Sequence, residues 1–445
     1  MEIVLFVPGI LGSKLATPEG QEVWPPTPFE ALRGYRRTEE LKRPDLMPTG
    51  IVERVCIDVY GSLLDALEVL GYTENGAQHR LIRYAYDWRR DLVELADELG
   101  HLLDQLVAEH GADVEIKLVC HSMGGLVTRA LLEGTDHLVR PWGKAVKLAI
   151  FLATPHEGAP LAFARAIGVG GSSTGLNAGQ LRELAEAPNL PAAYQLFPHA
   201  TLMPIWKLDD PIPFKGVSLF DPAVAAKYGL VRSHLDATRA LHALLDPERR
   251  PPSCRYFSIV SAAHETVIHL NEDQDVAVCV SVRSAGDGTV PIESAAALKV
   301  QTAFVQANHV GVAQKSLTHR MIGMLLGATP VEPLPMAFDV NLMDGAPSMN
   351  LSLSDRTIAE GEPYEIVVGT TPQDMLEVRI RMTRQDASNP SVIGEIPIVL
   401  RTSAVESISL SGPLLSVGQY LFELVSDDGF TFDSEELLVT GQEDG

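Results

Sequence analysis

The chain is poor in the features that would assign it to several large functional classes. Four cysteines among 445 residues, Cys56, Cys120, Cys254 and Cys279, stand far apart, with neither CxxC nor metal-ligand spacing. That excludes a disulfide framework and a cysteine zinc site, and predicts reduced thiols. No apolar run reaches the roughly 18 residues a spanning helix needs. No phosphate loop, nucleotide fingerprint or metal cluster is present, so no cofactor and no metal is expected. The first residues, MEIVLFVPG, run straight into a core-type strand with no basic region before them, so the reading expects no leader and a cytoplasmic protein. Positive charge is also scarce. The net charge of -23 argues against nucleic acid as a partner, because its phosphates would be repelled. The deficit is concentrated: residues 336–445 hold 19 Asp and Glu against 5 Arg and no Lys.

What is present reads as two units, as the length suggests. The stretch 114–133, VEIKLVCHSMGGLVTRALLE, organises the first: a short apolar run, a serine, two glycines and then helical spacing. A serine on such a strand-to-helix turn is held in a strained conformation that exposes its hydroxyl. Around it, residues 3–7, 81–86, 146–153, 256–260, 276–282 and 302–306 read as strands. The clearest helix has Leu92, Leu95, Leu99, Leu103 and Leu106 on one face and Gly111 at its end. Strand and helix in alternation predict a parallel sheet covered on both faces. Residues 16–50, rich in proline, form a long excursion that reads equally as a lid or binding loop and as a surface loop packed by Trp24. Residues 156–250 lose regularity and read as an inserted cap.

A nucleophilic serine needs a base and an acid that orients it. Asp287, in GDGTVP after the strand 276–282, and His309, in ANHVG after the strand 302–306, follow Ser122 in the order of the α/β-hydrolase fold. Two backbone amides should form the oxyanion hole. One is Met123, after the nucleophile; the other is Ile10, with Leu11 a near alternative, on a loop where Gly9 lets the backbone approach substrate. His156-Glu157 and His264-Glu265 read as structural, and Asp87, Trp88 and Arg89 as the anchor of a loop.

VPGILGSKL, YDWRRD, CHSMGGL, ATPHEGAP, GDGTVP and NHVGVAQ together make residues 1–328 resemble the lecithin:cholesterol acyltransferase and lysosomal phospholipase A family, in its bacterial lipase-like branch. The resemblance implies a Ser122-Asp287-His309 acyl enzyme acting on lipid esters, with Ile10 and Met123 as oxyanion donors. It also implies a movable lid with Trp24 as its aromatic. The reading is therefore a serine hydrolase of lipid carboxylic esters, with transient contact to a membrane surface. The alternatives are an O-acyltransferase and a catalytically silent binding protein on the same fold.

After a linker at 329–335, residues 336–445 carry eight short β-like segments, at 338–342, 350–353, 364–368, 376–382, 395–400, 407–410, 419–424 and 430–439. That spacing predicts an immunoglobulin-like β-sandwich. Its acidity predicts a protein partner or another subunit rather than anionic lipid, and a first unit able to turn over soluble esters without it. The fold class expected is thus α/β: a hydrolase domain with inserted cap and lid, followed by a β-sandwich.

Overall fold

The computed structural model describes residues 1–134, 136–199, 201–208, 215–273, 276–328, 349–370, 376–385, 390–400, 407–426 and 431–441. The expected linker 329–335 and the expected strand 338–342 lie outside the described residues.

Apolar strand segments too hydrophobic for a solvent-facing sheet build a mixed α/β unit around six parallel strands. Their order across the sheet is Gln301–Phe304, Arg255–Val260, Val146–Leu152, Glu115–His121, Glu2–Val7 and His79–Arg83. Because successive side chains alternate between faces, Ile3, Leu5 and Val7 enter one core while Val4 and Phe6 enter the other. The first core is closed by helix Leu92–His110, whose leucine stripe faces inward and whose amino end is capped by Asp91. Helix Met123–Glu133 is buried along its whole length, so its ion pair, Arg129 to Glu133, is internal and bidentate at 2.7 and 2.9 Å. Helices Gly61–Val69 and Ser316–Leu325 cover the opposite face.

Two expectations are corrected. The valine-rich stretch before Asp287 is not a strand of the central sheet. Val276–Gly286 returns antiparallel along His264–Asp273 in a separate four-stranded sheet, an arm inserted between Arg255–Val260 and the acid. The cap is more regular than its composition suggests, with helices Pro160–Ala166, Ala178–Glu186 and Arg232–Leu244. The excursion at 16–50 is packed in this structure. It forms a three-stranded sheet with helices Pro28–Arg33 and Thr38–Leu41 and is bolted down by Arg89, whose guanidinium pairs with Asp87 and donates to Leu41 O at 2.6 Å and Arg43 O at 2.7 Å.

The C-terminal residues form two further sheets. One joins Met349–Leu353, Glu365–Thr370 and Ser407–Ser411; the other joins Thr357–Ala359, Thr431–Thr440, Gly418–Ser426, Leu376–Arg384 and Ser391–Leu400. Leu351 and Ile366 of the first share a core with Ile380, Phe422 and Leu437 of the second. Among the described residues, no helix is long and apolar enough to cross a membrane.

Candidate active site

Strand Glu115–His121 ends at Ser122, whose backbone sits at φ 52°, ψ −126° before the helix begins at Met123. A positive φ is costly for a residue with a side chain, and it lifts the hydroxyl off the sheet end. The turn closes because of the glycines behind it. A Cβ on Gly124 would lie 2.3 Å from Pro8 O, and one on Gly125 would lie 2.0 Å from Thr154 Oγ1. Cys120, two residues before the serine, points into the core and contacts Thr128 Oγ1 at 3.0 Å. Burial pushes its thiol up to about 12, so it stays neutral.

The structure brings Ser122, His309 and Asp287 together. His309 Nε2 is 2.8 Å from Ser122 Oγ, and His309 Nδ1 is 2.8 Å from Asp287 Oδ2. The second oxygen of Asp287 accepts from Thr289 N and Val290 N at 2.9 and 2.7 Å, which fixes the carboxylate. A buried carboxylate held in this way demands a donor at Nδ1, leaving Nε2 to accept from the serine hydroxyl. In chemical terms the three side chains can remove a proton from Ser122 and return it to a leaving group.

Ile10 and Leu11 follow strand Glu2–Val7 and line the same cavity as Ser122. Neither Ile10 N nor Met123 N donates to another group among the described residues, as free oxyanion donors require. Leu11 is at φ 65°. Gly9 packs against the nucleophile: a Cβ there would lie 2.9 Å from Ser122 Cβ. Trp24, the residue expected in a lid, also lines the cavity. It is fully buried, packs edge-on against Tyr35 and Trp88 at centroid separations of 5.5 and 5.6 Å, and donates to Leu11 O at 2.7 Å. So large an apolar ring with its one polar atom satisfied belongs to the core.

Sequence reasoning missed a second set of groups. Gly9 N donates to Tyr60 Oη at 3.0 Å, Tyr60 Oη contacts His121 Nδ1 at 2.8 Å, and His121 Nε2 contacts the backbone oxygen of His309 at 2.9 Å. A carbonyl can only accept, so Nε2 carries the proton and Nδ1 accepts from tyrosine. Burial first, and then the neighbouring His309, lowers His121 to about 3 and keeps it neutral. The chain links the oxyanion loop, the end of the nucleophile strand and the base. No signal in the spacing of Tyr60 and His121 announces it. Beyond the reacting atoms the cavity is apolar along Leu11, Trp24, Val55, Leu181 and Leu196, and polar where Arg165, Ser172 and Asp355 face it. Among the described residues, no group of three or more potential ligands could hold a metal ion.

The sequence model of the family described as lecithin:cholesterol acyltransferase matches residues 32–215, a stretch that holds Ser122 and Met123 and ends before Asp287 and His309. The yeast protein YJR098C of Saccharomyces cerevisiae, described as uncharacterized, is 27% identical over 116 residues, 26% of this chain. The match spans only 17% of the yeast protein. Among solved structures, phospholipase PlaB from Legionella pneumophila in complex with thio-NAD is 10% identical, covering 98% of this chain and 89% of that one at a TM-score of 0.37. The lin2722 product of Listeria innocua is 8% identical, covering 75% and 97% at 0.33. The RedJ thioesterase of Streptomyces coelicolor is 14% identical, covering 73% and 84% at 0.29. These superpositions are too loose to carry an argument, whereas the family match overlies the motifs YDWRRD, CHSMGGL and ATPHEGAP. The chain is thus similar, over residues 32–215, to the lecithin:cholesterol acyltransferase family.

Proposed function

We propose that this protein is a serine hydrolase of lipid carboxylic esters, working on an α/β-hydrolase fold through an acyl enzyme on Ser122. The observation that carries the reading is the unbroken relay from Ser122 Oγ through His309 to Asp287, with both links at 2.8 Å. In this reading Ser122 attacks the ester carbonyl while His309 takes its proton, and the Ile10 and Met123 amides hold the oxyanion. His309 then protonates the leaving alcohol, and water, deprotonated in turn by His309, releases the acid. The apolar side of the cavity suits an acyl chain. The two C-terminal sheets are read as an immunoglobulin-like sandwich.

The matched family's description favours a second reading, in which an alcohol takes the place of that water and the product is a new ester. Ser122→Ala tests both, since both run through the same acyl enzyme. The variant should keep its fold and lose turnover of short-chain nitrophenyl esters to background; retained turnover would sink the assignment. Analysis of the products from a defined phospholipid, with and without an added alcohol, separates hydrolysis from transfer.

A further inference from the structure

The strand Met349–Leu353 belongs to the C-terminal sheets, yet three consecutive residues of it are bonded to the loops that carry the candidate acid and base. Leu351 O accepts from Lys315 Nζ at 2.8 Å. Ser352 Oγ lies 2.5 Å from His264 Nε2. Leu353 O accepts from Asn308 Nδ2 at 2.8 Å. The next residue continues the line: a Cβ on Gly288, which sits at φ +89°, would come within 2.9 Å of Ser354 O.

Two of these contacts fall on residues adjacent to the base or the acid, Asn308 and Gly288, and the other two on the ends of the segments that carry them. Asn308 precedes His309, and its Oδ1 also accepts from Gly311 N at 2.7 Å, closing the turn that presents the imidazole. Gly288 follows Asp287. His264 pairs with Gly286 at the base of the antiparallel arm that delivers Asp287. Lys315, at the far end of the base loop, is held by Asp433 and Glu435 of the C-terminal sheets, both at 2.9 Å. Glu435 is buried, so separating these groups would leave charges unmatched away from water. Loop Ser354 to Thr357 then passes directly along the wall of the cavity that holds Ser122.

We propose that strand Met349–Leu353 is a brace that positions His309 and Asp287, with Asn308 as the positioning residue through which it acts on the base. The C-terminal sheets are then a working part of the active site and not a separable recognition module. The inference rests on the serine-hydrolase reading for its catalytic meaning and on the geometry alone for the brace. A base displaced by about 1 Å loses roughly 10²-fold in rate without losing substrate affinity, so the brace should show in kcat and not in KM.

The test uses the full-length chain with three variants. Asn308→Ala removes both bonds of the side chain. Asn308→Asp keeps an acceptor for Gly311 N and loses the donor to Leu353 O. Ser352→Ala is a milder change made wholly within the C-terminal strand. We expect Asn308→Ala and Asn308→Asp to lower kcat on a nitrophenyl ester by about 10- to 100-fold, with KM within about twofold. We also expect Ser352→Ala to lower kcat while remaining folded by near-ultraviolet circular dichroism. The imidazole titration of His309, followed by NMR and identified by its absence in His309→Gln, should shift in all three. Folded variants with unchanged kcat and an unmoved titration overturn the brace, and a wild-type rate in Asn308→Asp alone assigns the effect to the Gly311 turn and removes the C-terminal strand from it. If the wild-type chain hydrolyses no ester, and no more than Ser122→Ala, the hydrolase reading fails, while the His309 titration still decides whether the strand positions that ring.

Discussion

Replacing Tyr60 with phenylalanine removes one oxygen and isolates the linkage between the oxyanion loop and the base. The ring is buried and packs edge-on to Phe6 at 4.9 Å, a contact phenylalanine keeps. The hydroxyl serves two partners that have no substitute, Gly9 N–H and His121 Nδ1. A buried polar group deprived of its partner costs about 1–3 kcal/mol, so with two such groups Tyr60→Phe should lose about 2–6 kcal/mol of stability. That is a large share of the roughly 5–15 kcal/mol typical of a domain, though not all of it. The catalytic effect follows from the freed Gly9, which precedes the proposed donor Ile10. A complete loss of one oxyanion donor costs about 10²–10³ in kcat, and a loosened one should cost about tenfold. Urea unfolding monitored by fluorescence gives the first quantity, and nitrophenyl ester kinetics give the second. A variant as stable and as fast as wild type would refute the linkage and reduce Tyr60 to packing.

Gly124→Ala should yield insoluble or inactive protein, because its methyl group would meet the backbone oxygens of Pro8 and Val7 at 2.3 and 2.5 Å; Gly50→Ala, with nothing within 4 Å, should behave as wild type in the same expression and activity assays. Stability should fall on acidification below pH 6.5, the ordinary imidazole value, because burial holds His121 down to about 3 and His242 to about 4. The unfolded chain then binds protons that the folded chain refuses, at about 1.4 kcal/mol per pH unit for each histidine, until the folded values are reached. A thermal midpoint flat between pH 7 and pH 5 would show these rings to be hydrated.

The organisation around Ser122 was legible because it is local. A buried strand, two glycines that nothing larger can replace, and an amphipathic helix ahead of it all leave marks within a few residues. The approach to Asp287 was misread because VAVCVSV has the composition of a central strand, and neither propensity nor period reveals which sheet a strand joins. Val276, Val278 and Val282 are in fact exposed on the inserted arm. Helix Arg232–Leu244 was missed because its inward face mixes Leu235 and Leu241 with the buried polar residues His234, Thr238 and His242, which breaks the apolar period. Proline and mixed charge at 16–50 hid the short strands and helices that this stretch contains. They could not show that Arg89, some fifty residues away, would fasten it. The bonds from Asn308 to Leu353 and from Tyr60 to His121 join positions that no short window contains.

That the acid stands at the end of an inserted arm has a consequence for how this chain can change. The base of the arm is closed on itself, with His264 opposite Gly286 and Gly286 bridged to Pro291, so Asp287 takes its place from that closure and not from the arm's length. Doubling a loop whose ends are already fastened adds only about 0.6 kcal/mol of closure entropy. Lengthening the arm beyond Glu272 and Ala277 should therefore leave the carboxylate undisturbed, whereas residues 266–272 are committed to the cap, where they pair with Ile205–Lys207 and bury Val267 and Leu270.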